Sequence, residues 1–71
     1  MTDSQASLIG QRVRQRREAL RLTQIELGAR TGMSQPYISE IERGIIGDKL
    51  TLRTIQRLAE ALGCTAGGLA D

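Results

Sequence analysis

The chain is 71 residues long, enough for one small domain, and its ten Lys and Arg against eight Asp and Glu leave a net charge of only +2. It has no His and a single Cys, which excludes an internal disulfide and argues against a zinc site or a His-based general acid–base mechanism. No run of about 18 apolar residues is present to span a membrane, and with Tyr37 the only aromatic residue the core must be aliphatic.

The start of the chain, MTDSQASLIG, lacks the charged opening and long apolar stretch of a signal peptide, so a cytoplasmic location is expected. Residues 1–6 read as a flexible N-terminal arm and residues 7–71 as one helical domain. Strand-like alternation of β-branched residues is absent, and so are repeats and low-complexity tracts.

The first helix is predicted from Ser7 to Leu20, with Ile9, Val13 and Leu20 spaced along one face. Arg12, Arg14, Arg16, Arg17 and Arg21 crowd this segment against Glu18 alone, and nine of the ten cationic residues in the chain are Arg. Arg suits phosphate because its flat fork donates two bonds at once, but a solvated helix face would look the same. Counting by fours from Ile9 and Val13 lands on Arg17, which places its guanidinium on the apolar stripe.

Thr23-Gln24-Ile25-Glu26 is a capping box, in which the Thr hydroxyl meets the Glu amide and the Glu side chain reaches back. It opens a second helix that ends at Gly32. Ser34 caps a third, with Pro36 in its first turn, where a missing N–H costs nothing, and Gly44 ends it. Thr51 caps a fourth through Leu62, with Leu52, Ile55, Leu58, Ala59 and Leu62 on its buried face and Gly63 as terminator. The lone Cys64 then reads as a small buried hydrophobe. Thr65 to Leu69 can add one further turn, against the low helix propensity of Gly67 and Gly68. None of these helices is stable alone at such lengths, so the fold class is all-α, a compact bundle of four to five short helices.

Helices two and three are each about two turns long and joined by the tight, Gly-containing Thr31-Gly32-Met33. That describes a helix-turn-helix, whose second helix enters the DNA major groove. Ile25, Leu27, Met33, Ile38 and Ile41 are expected to face inward. This leaves Gln35, Pro36, Ser39, Glu40 and Arg43 outside, with Tyr37 at the border. Short directional groups of this kind can reach base edges: Gln can pair with adenine N6 and N7, Glu can accept from cytosine N4, and Tyr can reach a phosphate or a thymine methyl. Glu40 is awkward near phosphates, and it either reads a base or repels wrong sequences. Glu42, on the inner edge beside Ile41, is the expected partner of Arg17; the alternative is that both side chains snorkel to solvent.

The stretch from Ile9 to Leu69 resembles the phage-repressor/Cro-like, or XRE, helix-turn-helix family. IGQRVRQRREALRLTQIEL, ARTGMSQPYISEIERG and TLRTIQRLAEALG carry the likeness, in this order and at the family's spacings. The resemblance implies a lambda-repressor-like domain of five helices, with no metal and no cofactor, and no catalysis. It implies that Gln24, opening the second helix beside Thr23, grips a phosphate, and that Ser34, Gln35, Pro36, Ser39 and Glu40 read bases. It also implies that the family's buried Arg–Glu pair falls on Arg17 and Glu42, and that the chain dimerises on near-palindromic operators.

On this reading the protein is a sequence-specific double-stranded DNA-binding regulator, a nucleoid-associated repressor acting as a homodimer. Phosphate contacts come from Thr23, Gln24, Arg43, Lys49 and Arg53, and discrimination from Ser34, Gln35, Pro36, Tyr37, Ser39 and Glu40. A module that kept the fold for protein interaction, or an antitoxin, is the competing reading. Three departures from the family pattern stand out. Gly28 replaces a usual Ala, which removes a methyl from a tight contact and is expected to lower helix propensity by up to about 1 kcal/mol. The connector from Ile45 to Leu50 is long, and its Ile45 and Ile46 either plug the core or contribute to a dimer contact. Pro36 offers only apolar contact.

Overall fold

The computed structural model describes residues 5–46 and 50–70, with side chains described for 8–46 and 50–69. Its helices are α1 (Gln5–Ala19), α2 (Gln24–Thr31), α3 (Gln35–Glu42), α4 (Leu52–Leu62) and α5 (Ala66–Ala70), and no strand occurs among the described residues. Gln5 and Ala6, assigned to the arm from sequence, are helical; the rest of that expected arm, residues 1–4, lies outside the described residues. So does Lys49.

Side-chain caps set the helix starts. Thr23 Oγ1 accepts from the Glu26 amide at 3.0 Å while Glu26 Oε1 accepts from the Thr23 amide at 2.7 Å, closing the predicted box. Ser34 Oγ accepts from the Tyr37 amide at 3.3 Å and Thr51 Oγ1 from the Thr54 amide at 3.2 Å, opening α3 and α4. Gly32 ends α2 at φ +77°, the left-handed region, and its N–H reaches the Gly28 carbonyl at 2.8 Å. A side chain at that angle would be strained.

The core is aliphatic throughout: Ile9 and Val13 from α1, Leu27 from α2, Ile38 and Ile41 from α3, Ile55, Leu58, Ala59 and Leu62 from α4, and Leu69 from α5. Burying each large aliphatic side chain contributes about 1.5–3 kcal/mol relative to exposure. α1 is the common partner, packing on α3, α4 and α5, while α2 packs on α3 and α4. Leu69, fully buried, ties down α5 despite its two glycines, and Arg12 Nη1 donates to the Leu69 carbonyl at 3.1 Å. No helix among the described residues is long and apolar enough to cross a membrane.

Three apolar residues expected inside are outside. Ile25 is 69% exposed because it lies two residues, or about 200° around a helix, from the fully buried Leu27. Leu20 falls past the end of α1, where the chain turns through Arg21 at a positive φ, and it is 49% exposed. Leu52 extends the α4 stripe by spacing, but as the first residue of the helix it overhangs the core and is 64% exposed. Met33 and Cys64 are half-buried, both packed against the core.

Gly28 also departs from expectation. A Cβ placed there would stand 2.5 Å from the Met33 carbonyl oxygen. The cost to helix propensity is therefore offset: the missing methyl lets the turn fold back on the helix, with the Gly28 carbonyl accepting from the amides of Gly32 and Met33. Gly10 does the same between helices. A Cβ on it would run into the Ile41 carbonyl oxygen and come within 2.9 Å of that of Glu42, so α1 and α3 cross at backbone distance.

Candidate nucleic-acid interface

α3 is held to the core from one side only. Ile38 and Ile41 are fully buried and Glu42 is 8% exposed. Pro36, Glu40 and Arg43 are exposed, and Gln35, Tyr37 and Ser39 are half-exposed. Tyr37 straddles the boundary, with its ring against the core. Ser34 is exposed too, but its oxygen is engaged as the cap of α3. Among the described residues, Glu40, Arg43 and Arg53 make no side-chain hydrogen bond or ion pair.

Behind this face lies a connected polar network. Arg17 Nε donates to Glu42 Oε2 at 2.6 Å and its Nη2 to Oε1 at 3.0 Å, while Nη1 donates to the Leu22 carbonyl at 2.8 Å. The two side chains are 12% and 3% exposed, so the fork-to-fork pair is largely shielded from water. The hydrogen bond to Glu42 raises the Arg17 pKa above its ordinary value; burial opposes this, and Coulomb attraction to Glu42 and Glu18 assists it. Gln24 Nε2 donates to the same Glu42 Oε1 at 3.1 Å, and Gln35 Nε2 donates to Gln24 Oε1 at 2.6 Å. The network thus joins one expected phosphate residue, Gln24, and one expected base reader, Gln35, to the Arg17–Glu42 pair.

The other expected phosphate residues stand at the rim. Thr23 is exposed at the start of α2, Arg43 caps the end of α3, and Arg53 projects from the first turn of α4. The arginines that crowd the α1 segment in the sequence are dispersed in the fold. Arg12 holds the end of α5, Arg14 pairs with Glu18 at 3.3 Å, and Arg17 is committed to Glu42. Arg16 lies beside Gly68, its Nη2 3.5 Å from where a Cβ would stand. Of the pair Ile45 and Ile46, Ile46 packs against the core, whereas Ile45 is 60% exposed. Together with Tyr37 and Glu40 they line a shallow groove beside the outward face of α3.

Sequence reasoning missed Gly10 and Arg12 as structural residues and missed the Gln24–Glu42 and Gln24–Gln35 links. A glycine in mid-helix beside Ile9 was a readable signal for a close crossing. The glutamine links had no such signal: Arg17 lay on an apolar stripe and so required a partner, whereas the sequence placed neither Gln24 nor Gln35 on one.

Comparison with known proteins agrees with this geometry. The helix-turn-helix family model matches residues 13–69. An uncharacterized HTH-type transcriptional regulator, y4dJ of Sinorhizobium fredii, is 43% identical over 56 residues, which span 79% of this chain and 70% of that protein. The restriction-modification controller protein C.AhdI from Aeromonas hydrophila superposes with a TM-score of 0.82 at 33% identity, over 90% of this chain and 94% of that one. Hydroxypropylphosphonic acid epoxidase from S. wedmorenis matches 99% of this chain with a TM-score of 0.87 at 26% identity, but the chain spans only 36% of that enzyme's length.

Proposed function

The chain belongs to the phage-repressor/Cro-like helix-turn-helix family of DNA-binding regulators, and from that premise we propose that it is a sequence-specific repressor that binds a near-palindromic operator as a homodimer. The observation that carries this reading is α3 itself. Its apolar side is sealed by Ile38 and Ile41, and its outer side is polar and faces solvent. A helix built only for solvation carries long Lys–Glu pairs; this one carries Gln35, Ser39 and Glu40, short groups suited to base edges.

In the proposed complex α3 lies in the major groove. Gln35, Tyr37, Ser39 and Glu40 face bases, with Pro36 giving apolar contact and Ser34 at the groove edge. Thr23, Gln24, Arg43, Lys49 and Arg53 hold phosphates and fix the register. The start of α2 suits this role, since a helix N-terminus attracts anions. Ile45, apolar and exposed, is the surface offered to a second copy. The protein acts in the cytoplasm on nucleoid DNA as a binding module and carries no catalytic role; the epoxidase likeness extends to a minor part of that enzyme only.

Titration with random duplex at two salt concentrations tests the reading. Binding should weaken steeply with salt, because each neutralised phosphate releases counterion. Selection from a random duplex pool should then yield two half-sites related by a dyad, centred about 34–36 Å or one helical turn apart. No binding at low salt would refute DNA recognition and favour a protein-interaction module.

A further inference from the structure

α1, α2, α3 and α4 are each followed by a residue in the left-handed region. After α2, α3 and α4 it is a glycine: Gly32 at φ +77°, Gly44 at +73° and Gly63 at +71°. After α1 it is Arg21, at φ +60°. The hydrogen bonds force that angle. The Leu22 N–H donates to the Arg17 carbonyl at 3.0 Å and the Arg21 N–H to the Glu18 carbonyl at 2.9 Å. These are the paired closing bonds of a Schellman motif, whose left-handed position is usually glycine because a Cβ is strained there. An arginine kept at such an angle costs the fold stability, and residues of this kind gather where function requires the side chain. The other arginines of the segment are turned to the fold: Arg12 to the Leu69 carbonyl, Arg14 to Glu18, Arg16 beside Gly68 and Arg17 to Glu42. Arg21 is exposed and makes no side-chain hydrogen bond or ion pair among the described residues.

We propose that Arg21 is a further phosphate-binding residue, gripping the DNA strand beside the start of α2, and that this contact offsets the strain of its backbone. The proposal rests on the reading of the protein as a helix-turn-helix DNA binder. Thr23 and Gln24, the phosphate residues expected at the start of α2, follow within three positions, a span of at most about 11 Å. The corner that carries Arg21 is anchored to α3. Arg17 Nη1 donates to the Leu22 carbonyl at 2.8 Å, while Arg17 Nη2 meets Glu42 Oε1 at 3.0 Å. Arg21 is therefore held at a fixed offset from the reading helix, as a residue that sets register must be. Its long stem reaches beyond the corner, and its flat fork offers a phosphate two parallel donors. A cation near a helix C-terminus also attracts the last carbonyls, but Arg16 and Arg17 already stand in the last turn of α1 without a left-handed angle.

The test compares the intact chain with Arg21→Asn, Arg21→Gly and Arg21→Lys, by fluorescence anisotropy on random and selected duplexes over a salt series and by thermal melting. Asn and Gly both accept the left-handed angle and carry no charge. Each should reduce the slope of log K against log salt by about 1 and weaken random and selected duplexes alike, with Tm unchanged or raised as strain is relieved. Arg21→Lys should keep the slope, because counterion release follows charge. An unchanged slope in both neutral variants, where the intact chain binds duplex, would overturn the contact and leave the DNA-binding reading standing; a lowered Tm beside it would assign Arg21 to the end of α1. A loss confined to the selected duplex would overturn the contact too, since Arg21 would then reach a base. So would an equal loss of slope in Arg21→Lys, since charge would not be what binds. No salt-dependent binding by the intact chain would instead overturn the underlying reading, and the proposal with it.

Discussion

Arg17 and Glu42 stand 25 residues apart in the chain and 2.6 Å apart in space, joining α1 to the last turn of α3. Both side chains are largely withdrawn from water, so removing one partner strands a charge. Arg17→Met should lower unfolding free energy by about 3–5 kcal/mol, and Arg17→Met with Glu42→Leu should cost clearly less, because no unpaired charge remains. Urea denaturation of the three proteins measures both values. Equal losses in the single and double variants would mean that the pair contributes through packing alone.

Helix propensity predicts that Gly10→Ala stabilises α1 by up to about 1 kcal/mol. The structure predicts the reverse. The new methyl meets the carbonyl oxygens of Ile41 and Glu42, which are backbone atoms and cannot rotate away. Forcing α1 and α3 apart should destabilise the fold by about 1–3 kcal/mol. Gly28→Ala should show the same sign, since its methyl meets the Met33 carbonyl. Thermal melting decides; a raised Tm in either variant contradicts the close approach.

The capping box makes the start of α2 sensitive to acid. The Thr23 backbone N–H, and secondarily its side chain, hold the Glu26 carboxyl below its ordinary value near 4.5. A depressed folded pKa means that the contribution is complete above about pH 4.5 and is lost as pH falls through the lower, folded value. Glu26→Gln should therefore flatten that part of the acid limb while changing stability less at low pH than at neutral pH. Carbon-detected NMR titration should also find the Glu26 pKa moving up in Thr23→Val, which removes the hydroxyl partner. An unchanged value would assign the shift to the backbone bond alone.

Arg53 projects from the first turn of α4 with no ion-pair partner among the described residues. If it holds a phosphate, Arg53→Ala should weaken operator and random duplex alike and reduce the slope of log K against log salt by about 1. Fluorescence anisotropy over a salt series measures this. A loss confined to the operator would instead place Arg53 on a base.

Much of the architecture follows from signals contained within a few residues. Thr23 and Glu26, Ser34 and Pro36, and Thr51 mark helix starts because a cap and its target lie within one turn of chain. The buried side of α3 was legible because Ile38 and Ile41 share a face at any packing angle. Leu20, Ile25 and Leu52 misled for the opposite reason. Their apolarity states a preference for burial, but burial requires a neighbour, and none arrives where α1 ends or where the first turns of α2 and α4 overhang. Gly28 misled likewise: its cost to helix propensity is local, while its benefit depends on where the Met33 carbonyl folds back.

The sequence by itself determined the helices, the turn between α2 and α3 and the outward chemistry of α3, since each depends on short-range geometry that one segment of chain contains. Tertiary structure alone decided that α1 and α3 touch at Gly10, that Arg12 secures α5, and that Glu42, Gln24 and Gln35 hydrogen-bond in series. Those links join groups from separate helices, and a hydrogen bond, unlike an apolar face, exists only when both partners are brought within about 3 Å at the right angle.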